Sequence, residues 1–279
     1  YRADEITSTL GDGSAYGVPL AYSHEEELLG TAGGTRNCRS FLTEDDSTFL
    51  VTSGDGLHTI DLAALADAHR ASGALATITV KRVDDVTGFG VVVADEEGRI
   101  RSFQEKPAPA DALSDLANVG VYCFDAAIFD EIPATGASDF GSEILPRLVA
   151  AGADVRAWTT DAYWSDIGSL DELVAANLAI AGGSVDVDAA GDLIVDADCG
   201  LPNVSPDSVI SGPVLVGPDA EIHSGATITG PAVIGPRAVV DTGAVLDQAL
   251  VLPEAIVDAD SDPTGIIGAV EGLDGVWLR

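Results

Sequence analysis

Residues 221–252 read EIHSGATITGPAVIGPRAVVDTGAVLDQALVL, and an aliphatic side chain returns in them at every sixth position. Followed in both directions, the series is Val204, Ile210, Val216, Ile222, Ile228, Ile234, Val240, Leu246 and Leu252. A second series runs four residues behind it: Ser208, Val214, Ala220, Ala226, Ala232, Ala238, Ala244, Leu250 and Ile256. A fixed hexapeptide period is the mark of a left-handed parallel β-helix, in which the aliphatic residue points into each triangular coil and the smaller one lets the chain round the corner. Three hexads make one coil, so the pattern predicts a short β-helix of about three coils over 204–262, followed by a C-terminal tail at 263–279.

Upstream of the repeat the character changes. GGSVDVDAAGDL opens a linker spanning 182–203. Residues 1–181 alternate strand and helix patterns. STFLVTSGD (47–55) reads as a β-rich run ending in Gly-Asp, and TIDLAALADAHRASG (59–73) as a helix with Gly73 past its end. ALATITVKRV (74–83) is a strand, 89–107 a hairpin turning at Glu97-Gly98, and NVGVYCF (118–124) a further strand. GSEILPRLVAAGA (141–153) reads as a helix with Pro146 near its start or kinking it, and DVRAWTT (154–160) as a strand. Ser169 and Glu172 form a capping box that starts another helix after Gly168. Alternating elements of this kind predict an α/β domain with a mostly parallel sheet and helices on both faces.

Composition narrows the classes of function. The chain has 279 residues, 46% of them hydrophobic, which is enough for two domains. It has 46 acidic against 13 basic residues, a net charge of −33, with the acids dispersed along the chain. A surface of that kind repels itself and is screened in molar salt, and it reads as a halophile's cytoplasmic protein or, more plainly, an acidic one. Nucleic acid and anionic membranes are poor partners for it. No apolar run is long enough to span a membrane, and the first residues lack the apolar core of a signal peptide. Cys38, Cys123 and Cys199 are far apart without a CxxC, which argues against a disulfide framework or zinc site.

Two acids hold the chemical interest. Asp55 closes a strand-like run between Gly54 and Gly56, and Asp166 in YWSDIGS lies between a strand and a capped helix. Ligands of open α/β sheets bind beyond the carboxyl ends of strands. Two carboxylates at one sheet edge suit Mg2+, which takes one or two protein carboxylates and fills its shell with water and phosphate oxygens.

Six stretches, in order, now resemble one family: EEELLGTAGGTRN (25–37), FLVTSGDGLHTIDL (49–62), TGFGVVVADEEGRIRSFQEKP (87–107), NVGVY (118–122), SDFGSEILPRL (138–148) and YWSDIGSLDELVAAN (163–177). They are similar to the sugar-phosphate nucleotidylyltransferases, the family of mannose-1-phosphate guanylyltransferase and glucose-1-phosphate thymidylyltransferase, in which a C-terminal β-helix is common. The resemblance implies a Rossmann-like nucleotidyltransferase domain over 1–181 that joins a nucleoside triphosphate and a sugar 1-phosphate into a nucleotide sugar and pyrophosphate. It implies that Asp55 and Asp166 hold Mg2+, that Lys106 grips the sugar 1-phosphate, and that Glu105 and Asn118 bond sugar hydroxyls. Gly90 would allow close approach of the ligand, and Gly30 and Thr31 would lie near the nucleotide at a helix start, where free N–H groups favour anions.

The chain departs from the family in two places. The first strand and its Gly-rich triphosphate loop have no counterpart here, and there is no methionine. The expectation is therefore an incomplete domain, a fragment inactive unaided. Gly56 stands where an aliphatic residue is more usual, and His58 reads as a loop residue. Two other readings stay open: an inactive regulatory or assembly subunit of the same fold that oligomerises with its own copies through the β-helix, and a β-helix acyltransferase, for which the repeat offers only His223. Base and sugar are left open.

Overall fold

The computed structural model describes residues 2–43, 48–187 and 191–268. Ser47, the linker residues 188–190 and the tail residues 269–279 lie outside the described residues. In chain order the helices are α1 (Ala3–Leu10), α2 (Gly30–Asn37), α3 (Arg39–Leu42), α4 (Leu62–Ser72), α5 (Leu145–Ala150) and α6 (Leu170–Ala181). The strands before the repeat are β1 (Thr48–Thr52), β2 (Gly56–His58), β3 (Ala76–Arg82), β4 (Gly90–Ala94), β5 (Ile100–Glu105), β6 (Leu116–Asp125), β7 (Val155–Thr159) and β8 (Trp164–Asp166). The chain divides into two compact units. One holds Tyr1–Gly54 and Asp61–Asp161; the other holds Asp55–Ile60 and everything from Ala162 onward.

The first unit is an α/β layer structure on a six-stranded sheet in the order β5-β4-β6-β3-β7, with β1 also on β6. The sheet is mixed rather than mostly parallel. β3 and β7 pair in parallel, whereas β6 runs against β1, β3 and β4, and β4 and β5 form the expected hairpin. The sequence pattern identifies the strands without their directions, and β6, at the centre, is the one that reverses. Alternation along β3 sends Ile78 and Val80 into a core with Phe49, Phe124, Phe140, Ile144 and Leu145. On the other face α4 covers the sheet, burying Leu65, Ala66 and His69, and the His69 ring bonds the hydroxyl of Thr77 (Nδ1 to Oγ1, 2.9 Å). α4 starts where Asp61 accepts from the Ala64 N–H (2.9 Å) and ends at Gly73, which takes the left-handed conformation (φ 64°). The expected helix at 141–153 is split: a π-turn over Phe140–Ile144 comes first, and α5 then carries Pro146 in its first turn, where a missing N–H costs nothing.

The second unit is the β-helix with a cap. Three parallel faces stack in register, with Ile210, Ile228 and Leu246 on one, Val216 and Ile234 on another, and Val204, Ile222 and Val240 on the third, all buried. The hexad series holds as far as Leu246 and then slips by one residue. Ile234 pairs with Val251 and Val240 with Val257, so Val251 and Val257 fill the interior. Leu252 is only partly buried, and Ile256 is 69% exposed. The cause is a corner one residue short, where Gln248 takes a left-handed φ of 51°. The stack also extends past the expected limits. Asp192–Ile194, in the expected linker, pairs antiparallel with Val214–Val216, and Gly265–Ile267, in the expected tail, pairs with Ala249–Val251. α6 lies across one outer face, where Leu170, Leu173, Val174 and Ala181 pack on Val233, Leu250 and Ile266.

Candidate active site

Asp55 and Asp166 belong to the same unit, and a short antiparallel pair brings them together. β2 and β8 align Gly56 with Asp166, Leu57 with Ser165 and His58 with Trp164. The ladder is prolonged by Thr59, whose N–H donates to the Tyr163 carbonyl (3.0 Å) and whose hydroxyl accepts from the Tyr163 N–H (3.2 Å). Asp55 is the residue before Gly56, and Asp166 is the last residue of β8; both are exposed. His58, expected in a loop, lies on β2 and accepts from the Ile60 N–H through Nδ1 (3.3 Å). Behind Asp166 the chain is pinned. The Gly168 N–H donates to the Asp166 carbonyl (2.9 Å) and to Glu172 (3.1 Å), while Ser169 caps α6 through the Glu172 N–H (3.2 Å). The capping box is present, with Glu172 reaching the N–H of Gly168 as well as the hydroxyl of Ser169 (2.9 Å).

These residues fit a hard divalent cation and do not fit a closed protein cage. Among the described residues no group of three or more His, Cys, Asp or Glu side chains could hold a metal ion. Two exposed carboxylates on adjoining strand ends are what Mg2+ takes when phosphate and water supply its remaining ligands.

The first unit gathers the other expected residues. Gly90 and Glu105 are register partners at the open end of the β4–β5 hairpin. A side chain at Gly90 would lie 3.7 Å from the Glu105 carboxylate and 4.0 Å from the Asn118 side chain, so the missing Cβ leaves room between them. Lys106 follows with a left-handed φ of 43°, rare for a residue other than glycine, and its N–H donates to the Phe89 carbonyl (3.2 Å). Asn118 is fixed by a bulge in β6. Opposite Thr79 the strand carries Val119, Gly120 and Val121, with Gly120 left-handed (φ 73°). The Gly120 N–H donates to Asn118 Oδ1 (3.1 Å), and Asn118 Nδ2 donates to the Tyr122 hydroxyl (3.0 Å). Burial pushes the Tyr122 phenol up from its usual range, with the Asn118 bond opposing.

Gly30 and Thr31 join this group through Asp139. Gly30 is left-handed (φ 71°), and a Cβ there would lie 2.5 Å from the Ser138 carbonyl. That carbonyl accepts from the Ala32 and Gly33 N–H groups (3.0 and 3.2 Å), so part of the donor set expected to meet an anion at this helix start is already used. Thr31 donates to Asp139 Oδ2 (2.7 Å) and accepts from the Phe140 N–H (2.9 Å). Burial works against the Asp139 carboxylate; hydrogen bonds from the Ser142 N–H, Thr31 and the Ser142 hydroxyl outweigh it and hold its pKa below the usual range. Gly141 closes the circuit, since a Cβ there would lie 3.5 Å from Asp139 Oδ1, 3.9 Å from Asn118 Nδ2 and 4.0 Å from the Tyr122 hydroxyl. Tyr122 and Asp139 are members that sequence reasoning missed. Their signals were a glycine inside the NVGVY strand, which marks a bulge, and an Asp three residues before Ser142, which marks a cap.

The sequence model of the nucleotidyl transferase family matches residues 1–182. The chain belongs to the nucleotidyl transferase family. Among curated relatives, UTP–glucose-1-phosphate uridylyltransferase of Synechocystis sp. is 39% identical over 183 residues, covering 62% of this chain and 47% of that one. Mannose-1-phosphate guanylyltransferase of Mycobacterium tuberculosis is 34% identical over 230 residues, covering 81% of this chain and 62% of that one. Among solved structures, HddC from Yersinia pseudotuberculosis superposes with a TM-score of 0.54 at 25% identity, covering 63% of this chain and 73% of that one. The chain thus spans less than two thirds of the length of the two curated relatives. No helix among its described residues is long and apolar enough to cross a membrane.

Proposed function

We propose that the chain carries the metal-binding acids and the sugar-phosphate-binding residues of a Mg2+-dependent sugar-1-phosphate nucleotidylyltransferase. Such an enzyme joins a nucleoside triphosphate to a sugar 1-phosphate and releases pyrophosphate. The names of its relatives, which act on glucose 1-phosphate and mannose 1-phosphate, support the substrate class. The observation that carries the reading is the register of β2 and β8, which sets Asp166 across from the neighbour of Asp55.

In this reading Asp55 and Asp166 hold the cation. A Mg2+ held by these two acids would supply charge neutralisation at the phosphates of an in-line displacement. Lys106 places its ammonium on the sugar 1-phosphate as a compact point charge. Glu105 accepts from sugar hydroxyls, and Gly90 leaves the space beside it. Asn118 offers its second Nδ2 hydrogen to the sugar, the first being spent on Tyr122. Gly30 and Thr31 border the nucleotide, held in place by Ser138 and Asp139. No side chain needs to act as a covalent nucleophile; positioning and charge stabilisation do the work.

Mn2+ as a paramagnetic substitute for Mg2+ tests the assignment. In the presence of a nucleotide sugar, Mn2+ should broaden the amide signals of Gly56 and Ser165, and Asp55→Asn or Asp166→Asn should remove the effect. Broadening that survives both substitutions would refute the metal assignment. Pyrophosphate release by the active enzyme, followed at high salt with Mg2+ over a panel of triphosphates and sugar 1-phosphates, identifies base and sugar.

A further inference from the structure

His223 follows the strand Glu221–Ile222, and Asp241 follows Val239–Val240, its register partner one coil further on. The ring stands between two carboxylates: Nδ1 is 3.1 Å from Asp241 Oδ1 and Nε2 is 3.1 Å from Glu221 Oε2. Among the described residues these two are the charged side chains in contact with it. An ionised carboxylate only accepts, and a neutral imidazole has one N–H, so both contacts are hydrogen bonds only when the ring is an imidazolium.

The two acids are not equivalent. Asp241 Oδ1 also accepts from the Thr242 N–H (2.7 Å), which fixes it to the coil. Glu221 is 56% exposed, and the ring is its one side-chain partner among the described residues. Glu221 and His223 line a groove of about 580 Å3 on the β-helix, with Asn203, Ser205, Ser224 and Thr242 on its walls.

We propose that His223 is a proton-operated latch: as imidazolium it clasps Glu221 to the coil edge, and on losing the Nε2 proton it stays bound to Asp241 through Nδ1–H and releases Glu221 at the groove. The proton passes to solvent. The lone pair it leaves on Nε2 faces a carboxylate that has nothing to donate, so the flexible partner moves and the anchored one stays. Hydrogen bonds to Glu221 and then to Asp241 raise the pKa of His223 above the ordinary imidazole value, as this arrangement requires. The three side chains together change from a net charge of −1 to −2, so the groove wall becomes more anionic as pH rises. The latch is independent of the nucleotidyl-transfer reading.

Long-range 1H–15N spectra of the four histidines, taken from about pH 5 to about pH 9, test it. The His223 signals are assigned by their loss in His223→Gln. The expected result is titration above the ordinary value of about 6.5, a neutral form protonated on Nδ1, and a shift of the Glu221 carboxylate signal in the same transition. Glu221→Gln should lower the titration midpoint and keep the Nδ1–H tautomer; Asp241→Asn should abolish the tautomer preference. Titration at or below the ordinary value, or a neutral form protonated on Nε2 in the unsubstituted chain, overturns the proposal.

Discussion

Asp166 stands directly across from Gly56, so the acid that ends β8 faces the residue immediately after Asp55. Both acids are exposed, and neither is needed to fill a core. Asp55→Asn and Asp166→Asn keep the side-chain shape and are therefore expected to leave the fold intact. In the active enzyme each should lower kcat by roughly 10²-fold or more, the scale for losing a main electrostatic stabiliser. Pyrophosphate release with saturating Mg2+ measures this; a near-normal rate for either variant sinks the role.

Lys106 is held left-handed at a place where glycine would be easier. Its backbone strain and its ammonium can be separated. Lys106→Gly relieves a left-handed penalty of about 1 kcal/mol, part of which the flexible unfolded glycine takes back, so the variant should be at least as stable as the parent. Its sugar 1-phosphate affinity should fall at least tenfold. Calorimetry of both quantities decides the matter, and unchanged affinity would remove Lys106 from the phosphate site.

The one-residue slip in the repeat makes opposite forecasts for neighbouring positions. Val257 is fully buried and Ile256 is 69% exposed, although the uninterrupted hexad pattern gives Ile256 the corner position. Val257→Asn should destabilise the β-helix by about 2–4 kcal/mol by burying an unpaired amide. Ile256→Ser should cost under about 0.5 kcal/mol. Denaturant titration of the two variants would expose a wrong register at once if the order were reversed.

His69 is buried against Thr77, and burial lowers its pKa, with nearby Asp125 opposing. The folded state then binds this proton less readily than the unfolded one. Its stability is fully present above the unfolded value of about 6.5 and is lost as pH falls through that value toward the folded pKa. Melting measured at pH 7.5 and pH 5 should show a loss on acidification that shrinks in His69→Gln. An equal loss in both chains would mean that other groups set the acid limit.

Thr31 ties α2 to the π-turn through Asp139. Thr31→Val removes a donor to the carboxylate and an acceptor for the Phe140 N–H, and should cost about 1–3 kcal/mol. Because the Asp139 pKa is depressed, its contribution is present above the unfolded carboxyl value of about 3.9 and fades as pH drops through the folded one. The gap between parent and variant should accordingly narrow in acid unfolding below about pH 4.

Periodicity carried most of what was legible in advance. Two nested hexad series announced the β-helix, and glycines and caps placed the end of α4, the start of α6 and the turn of the β4–β5 hairpin. Strand direction was not legible, because alternation along β6 is the same whichever way the strand runs. The slip at Gln248 hid behind aliphatic residues on both sides: Leu250, Val251 and Leu252 all suit an interior, and only the spacing of Ala249 and Ala255 betrayed the new phase. The candidate residues followed the same division. Asp55 and Asp166 were visible as carboxylates close to glycines, whereas Glu105 and Lys106 stood out only through the family resemblance of the stretch that holds them. Tyr122 and Asp139 were not, because their parts depend on a bulge and on Gly141, whose meaning lies in what its missing side chain would touch.

The shortened corner also limits how this solenoid can have grown. Copying one full coil is the simplest way to lengthen such a stack, and it works only while each new rung lands in phase with the last. Ile228 pairs with Leu246, 18 residues on, but Ile234 pairs with Val251, 17 residues on, so a copy that spans Gln248 carries the shorter spacing with it. Whole coils are therefore most simply added ahead of Gln248, where the spacing is uniform.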